Sequence, residues 1–144
     1  MEKARAAVLR SGIRGLIIDP WNEIEHHRPN GTTETEYIGQ SLATIRRLAK
    51  ANDVHVWIVA HPQKLYADSS GSRPVPGLYD ISGSANWANK ADFGISVHRP
   101  DDNVPLTEIH ILKCRYKWLG RKGSTRLRYI MATGEYSDDL QALA

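Results

Sequence analysis

The 144-residue chain contains a single cysteine and no apolar run long enough to cross a bilayer. One cysteine excludes an internal disulfide and suits a reducing compartment. Cys114 lies inside an apolar segment, which favours a small packed residue over a nucleophile. A membrane span needs about 20 mostly apolar residues, and no signal peptide is visible. We therefore expect a protein without membrane association.

Motifs for metal binding and for several kinds of catalysis are also missing. The six histidines show no metal-ligand spacing, since His26 and His27 are adjacent and the others are scattered. There is no GxSxG turn and no triad arrangement. No GxxxxGK[ST] loop occurs, and GRKGST at 120–125 has its residues in the wrong order. We therefore assign no zinc site and no loop that cradles nucleotide phosphates.

The charges that are present are unevenly distributed. Seven cations and no acidic residue lie between Glu108 and Glu135, whereas five carboxylates lie from Asp19 to Glu36. A basic region of this kind indicates an anionic partner such as phosphate, nucleotide or nucleic acid. The alternative, from charge alone, is a solvated face.

The order of predicted elements indicates an α/β domain over residues 1–144. Apolar runs at 13–19 and 54–60 predict strands, and a helix of about 18 residues between them begins at a Thr33/Glu36 capping box. Strand, helix and strand form a βαβ unit, which is parallel in nearly all cases. Three further strands follow through short turns, at 93–98, 107–116 and 125–131. We therefore predict a mixed sheet in which a C-terminal β-meander follows the βαβ unit.

Polar side chains follow the first two strands directly. Asp19 ends the first strand, and His61 follows the second. Ligands of open α/β sheets bind beyond the carboxyl ends of the strands, where a carboxylate holds magnesium through water and a histidine contacts a terminal phosphate. The alternatives are a capping aspartate and a histidine satisfied by the local backbone. Neither residue is decisive alone.

Two sets of cations are candidates for phosphate contacts. Lys113 and Arg115 lie two residues apart on a strand and therefore share one face; the alternative is a solvated edge strand protected by charge. Lys64, Arg73 and Lys90 are interleaved with aromatic residues, a pattern typical of single-stranded nucleic-acid binding.

Together these segments resemble four successive motifs of the DnaB-like replicative ring helicases, in particular the phage primase–helicases and the Twinkle type. The first two are GLIIDPWNEIE at 15–25, similar to a Walker B strand, and VWIVAHPQK at 56–64. The other two are LYDISGSANWANKADFGISVHR at 78–99 and ILKCRYKWLGRKG at 111–123. The resemblance covers nearly all of residues 4–136. It implies the C-terminal half of a RecA-like P-loop ATPase core without its Walker A loop.

The resemblance implies a role for each candidate residue. Asp19 is expected to be the Walker B carboxylate that holds Mg²⁺ through water, and His61 the sensor of the γ-phosphate. Lys113 and Arg115 are expected to reach the nucleotide of a neighbouring subunit, with Arg115 as the arginine finger. Lys64 and the loop after it are expected to face DNA in the channel of a hexameric ring.

The implied activity is ATP-dependent 5′–3′ unwinding of duplex DNA by a bacterial or phage protein in the cytoplasm. Because the Walker A loop carries most of the phosphate binding, we expect little ATP or Mg²⁺ binding and no hydrolysis by this chain alone. We expect a piece of a helicase, monomeric or weakly dimeric. The alternatives are a non-enzymatic nucleic-acid-binding or assembly module that supplies an arginine finger in trans, and a RecA-like recombinase fragment.

Overall fold

The computed structural model describes residues 2–67, 69 and 73–138. Its helices are α1 (Glu2–Ser11), α2 (Glu34–Asn52) and α3 (Asn86–Lys90), with a 3-10 turn at Trp21–Glu23. Its strands are β1 (Gly15–Ile18), β2 (His55–Ile58), β3 (Phe93–His98), β4 (Leu106–Cys114), β5 (Gly123–Ile130) and β6 (Glu135–Asp138). None of these helices is both long and apolar enough to span a bilayer.

The fold divides into two compact units. The first comprises the described residues of Met1–His61 and Ile81–Lys90, and the second those of Pro62–Asp80 and Ala91–Ala144. The single domain over 1–144 stays a prediction, and its terminal residues lie outside the described part of the chain.

The first unit is built on the predicted βαβ unit. β1 and β2 pair in parallel, from Gly15 opposite His55 to Ile18 opposite Ile58, and α2 connects them. Helix α2 begins at the capping box, in which the Thr33 side chain accepts from the Glu36 backbone N–H and the Glu36 carboxylate accepts from the Thr33 backbone N–H. The capping box and the parallel βαβ unit are both confirmed.

The core of the first unit lies on one face of this strand pair. It is formed by buried side chains of the 3-10 turn, α2 and α3: Trp21, Ile38, Leu42, Ile45 and Trp87. The rings of Trp21 and Trp87 meet edge to face, with their centres 5.3 Å apart. On the opposite face Ile17 is 70% exposed and its partner Trp57 is 50% exposed.

The second unit is the predicted β-meander with one additional strand. β3, β4, β5 and β6 pair antiparallel in that order. The predicted strands at 93–98, 107–116 and 125–131 correspond to β3, β4 and β5, and β6 was not predicted. Over the described residues, the strands of the predicted mixed sheet form two separate sheets. One is the parallel pair β1–β2, and the other is the antiparallel meander β3–β4–β5–β6.

A β-bulge in β4 decides which way Lys113 faces. Gly94 pairs with Lys113, but the next residue, Ile95, pairs with Ile111, so Leu112 is an extra residue. Side chains alternate along a strand, and one extra residue reverses the alternation beyond it. The side chain of Lys113 therefore stands on the face of Gly94, opposite the apolar face of Ile95 and Ile111.

The two faces of β3 are unequally covered. Gly94, Ser96 and His98 are buried, whereas Val97 on the other face is 66% exposed. Leu78 packs so closely on Gly94 that a Cβ there would lie 2.6 Å from Leu78 Cδ1. Because Gly94 has no side chain, Leu78 can pack directly against β3 at the residue that pairs with Lys113.

Candidate functional site

The carboxyl ends of β1 and β2 bring Asp19 and His61 to the same end of one sheet. The Val59 N–H donates to the Ile18 carbonyl oxygen at 2.9 Å, and the Trp21 N–H donates to the Val59 carbonyl oxygen at 2.8 Å. These bonds hold the two chain segments side by side just beyond the strands. Both Asp19 and His61 are exposed there, as a site for a diffusible ligand requires.

The segment that follows Asp19 is anchored by a histidine that the sequence did not single out. His26 Nε2 donates to the Trp21 carbonyl oxygen at 2.9 Å, and its Nδ1 lies 3.2 Å from the Tyr37 hydroxyl. Its ring also packs against Trp21 and Tyr37. These residues line an open cavity of about 460 Å³ together with Asn22, Arg28, Glu34 and Ile38. The only sequence signal was a histidine among aromatic residues.

Lys113 lies near the end of β4, and Arg115, the first residue after the strand, is held by Asp92. Arg115 Nε donates to Asp92 Oδ1 at 3.0 Å, and the Arg115 backbone N–H donates to the Asp92 carbonyl oxygen at 2.9 Å. Arg115 Nη2 also donates to the Ala91 carbonyl oxygen at 3.4 Å. The Arg115 side chain remains 33% exposed. Asp92 was missed as a site residue, although an aspartate directly before β3 was a usable signal.

The three predicted DNA contacts have different surroundings. Lys64 Nζ lies 5.6 Å from the centre of the Tyr66 ring. Arg73 Nη1 lies 3.7 Å from Asp102 Oδ2 in an exposed ion pair. Lys90 ends α3 in the first unit, whereas Lys64 and Arg73 belong to the second. Residues 68 and 70–72 of the loop between Lys64 and Arg73 lie outside the described residues.

The short turn before α3 is fixed to α2. Thr35 Oγ1 donates to the Gly83 carbonyl oxygen at 3.0 Å, and Asn86 Nδ2 donates to the Thr35 carbonyl oxygen at 3.3 Å. Trp87 Nε1 donates to the Ser82 carbonyl oxygen at 3.1 Å. The turn at residues 82–84, within the segment 78–99, is therefore a structural element of the first unit, and it precedes the helix that ends at Lys90.

Metal ligands are sparse in the part of the chain that the structure describes. No group of three or more His, Cys, Asp or Glu side chains is placed to hold a metal ion there. Asp19 alone fits a Mg²⁺ ion that keeps several waters and takes its other ligands from phosphates, a common arrangement for this metal.

Comparison with known proteins identifies close relatives of this sequence. No family model matches the chain. The Twinkle homolog protein, chloroplastic/mitochondrial, of Arabidopsis thaliana is 49% identical over 96% of the chain. The chain spans 20% of that relative's length.

A solved structure shares the fold. A DnaB-like replicative helicase, studied for its interactions with primase, superposes with a TM-score of 0.68 over 94% of this chain and 32% of its own. At 20% sequence identity, this likeness concerns the fold, and it confirms the predicted α/β architecture of RecA-like type.

Proposed function

The chain belongs to the Twinkle-type family of DnaB-like replicative helicases, and from that membership we propose that it forms part of an ATP-dependent, 5′–3′ DNA helicase. The observation that carries this proposal is the 49% identity to a Twinkle homolog over 96% of the chain. Because the chain spans 20% of that relative, unwinding is proposed for the complete protein.

We propose that Asp19 and His61 form one half of a nucleotide site. Both are exposed at the carboxyl end of the parallel strand pair, where open α/β sheets bind ligands. Asp19 would hold a Mg²⁺ ion through water, and that ion would neutralise charge on the ATP phosphates. His61 would contact the terminal phosphate. The GxxxxGK[ST] loop is absent from the sequence, so we propose that the chain alone neither binds ATP tightly nor hydrolyses it.

We propose that Lys113 and Arg115 form the other half of such a site, in a neighbouring subunit of a hexameric ring. An arginine finger stabilises the charge that develops on the transferred phosphoryl group, and is worth about 10³–10⁵ in rate. The ion pair with Asp92 supports this role because it fixes the plane of the guanidinium before a phosphate arrives. As an isolated chain, the protein would be a monomer or weak dimer.

Single-stranded DNA is the second proposed partner, contacted by Lys64, Arg73 and Lys90. For its location, we propose the cytoplasm of a bacterial or phage-infected cell. The plant relative is by name chloroplastic or mitochondrial, so an organelle is the competing location for this chain.

A non-enzymatic module that supplies its arginine in trans is the alternative function. The observation that favours it is that Arg115 is already oriented by Asp92 within the chain itself. Both functions place Arg115 at another subunit's nucleotide, and they differ in whether a complete helicase contains this chain.

The test combines binding with trans complementation. Calorimetry with Mg·ATP is expected to show no tight binding to the chain alone, and tight binding would contradict the missing-loop argument. The chain is then added to a family helicase that has an intact P-loop and lacks its own finger arginine. Stimulated hydrolysis that Arg115→Ala abolishes supports the assignment. Arg99→Ala, an exposed arginine in the same unit, is the matched control and is expected to retain full stimulation.

A further inference from the structure

The tip of the β4–β5 hairpin, Tyr116–Lys122, is exposed and basic. It carries Lys117, Arg121 and Lys122, all exposed. Over the described ranges no salt bridge involves any of these three cations. One of the other candidate contacts is already engaged, since Arg73 pairs with Asp102. The hairpin tip is therefore a concentrated positive surface whose charges are not offset by nearby carboxylates.

The same tip presents an aromatic side chain to solvent. Trp118 is 80% exposed and the adjacent Leu119 is 62% exposed. The Trp118 ring centre lies 5.2 Å from that of Tyr116, which in turn lies 6.4 Å from that of Phe93. The three rings therefore form a row that ends at an uncovered indole.

Local hydrogen bonds hold this row in place. The Leu119 N–H donates to the Tyr116 carbonyl oxygen at 3.0 Å and closes a turn around Trp118. The Cys114 thiol donates to the same oxygen at 3.2 Å. A ring presented on a closed turn loses less conformational entropy on binding than one on an open loop, because part of its ordering has already occurred.

We propose that the hairpin tip Tyr116–Lys122 is a binding site for single-stranded nucleic acid. Bases stack on Trp118 while the phosphates that flank them contact Lys117, Arg121 and Lys122. Stacking is tolerant of sequence because every base has a π face, so the site reads no sequence. The charge pattern matches this ligand, since no acidic residue lies between Glu108 and Glu135 to repel a polyanion.

The salt dependence of binding follows from the number of cations. Neutralising Z phosphates of a single strand gives a slope of about −0.7Z in a plot of log affinity against log salt. Three cations at the tip therefore contribute a slope of roughly −2. Replacing all three with glutamine is expected to remove most of that slope while leaving stacking in place.

The test measures fluorescence anisotropy of a labelled oligo-dT strand titrated with the whole chain. Trp118→Ala is expected to weaken binding by about tenfold or more, as loss of one stacked base does. Trp57→Ala is the matched control, because Trp57 is also an exposed tryptophan at 50% but lies in the first unit. The Trp57→Ala variant is expected to bind oligo-dT with an affinity within about twofold of that of the unaltered chain.

Three results would overturn the proposal: no binding by the unaltered chain, equal effects of Trp118→Ala and Trp57→Ala, or a salt slope unchanged by the triple glutamine variant. Sedimentation of the same variants tests whether the hairpin tip instead binds a second copy of the chain. If Trp118→Ala dissociated an oligomer and left oligo-dT affinity unchanged, the tip would be a contact between copies of the chain.

A separate triple variant at Lys64, Arg73 and Lys90 distinguishes this site from the proposed helicase contacts. If it retains binding that Trp118→Ala loses, the hairpin site stands and those three assigned DNA contacts fail. The opposite pattern rejects the hairpin site and supports those contacts.

Discussion

Arg115 donates from Nε to the Asp92 carboxylate over 3.0 Å, and its backbone N–H donates to the carbonyl oxygen of the same residue over 2.9 Å. A partly exposed ion pair contributes only about 0–1 kcal/mol to stability. Its larger effect is on orientation, because a carboxylate on the Nε edge fixes the plane of the guanidinium. Asp92 is therefore a positioning residue for the proposed finger.

Replacing Asp92 with asparagine is expected to weaken finger function more than stability. The loss of one charge-assisted hydrogen bond corresponds to roughly tenfold in rate, so stimulated ATP hydrolysis in the trans assay is expected to fall by about that factor. The urea midpoint is expected to change little. Asp102→Asn is the control, since Asp102 pairs with Arg73 rather than with Arg115. Increased hydrolysis in Asp92→Asn would mean that Asp92 restrains the finger instead of positioning it.

Gly83→Ala is expected to destabilise the first unit more than Gly31→Ala does. Both glycines have positive φ, +90° and +80°, so alanine is strained at either position, by about 1–2 kcal/mol. At Gly83 the new Cβ would also lie 2.7 Å from Ile38 Cδ1 in the core, whereas at Gly31 nothing lies within 4 Å. Overpacking costs about 1–3 kcal/mol more. Urea denaturation of both variants measures the difference, and equal losses would rule out the close packing at Gly83.

Thr33→Ala is expected to lower the free energy of unfolding by about 1 kcal/mol, because it removes the N-cap acceptor of α2. The hydrogen bonds from Thr33 hold the pKa of Glu36 below its ordinary value, and the same substitution is expected to raise that pKa. Thr32→Ala is the matched control outside the cap. Urea titrations measure stability, and NMR titration of the Glu36 carboxyl measures the pKa. A stable Thr33→Ala variant with an unchanged Glu36 pKa would contradict the capping-box assignment.

Glu108 is expected to make stability depend on pH in the acid range. Burial raises the pKa of Glu108, but hydrogen bonds and positive charge from His110 and Arg126 outweigh it and hold the pKa below its ordinary value. A lowered folded pKa means that its stabilisation is present above the ordinary value of 4.5 and is lost as pH falls through the folded pKa.

Glu108→Gln is therefore expected to lower stability at neutral pH and to flatten its fall below about pH 5. Urea denaturation at several pH values measures both effects. Glu135→Gln, at an exposed position on β6, is the control and is expected to retain the slope of the unaltered chain. A Glu108→Gln profile as steep as that control would show that other groups carry the acid dependence.

Features set by local sequence or by the βαβ connection could be predicted, and other contacts between distant segments could not. The Thr33/Glu36 capping box needs only residues three apart, and the apolar runs flanking α2 fix a parallel pair through the connection between them. The pairing of Asp92 with Arg115 joins residues more than 20 positions apart across a strand pair. The sequence alone does not record that register.

The candidate site shows the same division. Asp19 and His61 could be placed together because parallel strands present their carboxyl ends at one edge. The anchoring of the next segment through His26 depends on Trp21 and Tyr37, which come from different elements. That Lys113 and Arg115 share one face stays a prediction, and the sequence could not say which face Lys113 occupies, because the period of two does not reveal the bulge that places it on the side of Gly94.

The extra residue at Leu112 decides which face of β4 carries the side chain of Lys113. If β4 kept its length but ran without the bulge, strict alternation would place the side chain of Lys113 on the side of Ile111 instead of the side of Gly94, without altering a single charge. A strand that lacked this one residue would have a regular ladder here and would keep the side chain of Lys113 on the side of Gly94. A designer who grafts the full-length strand onto another scaffold must therefore reproduce the bulge as well as the sequence.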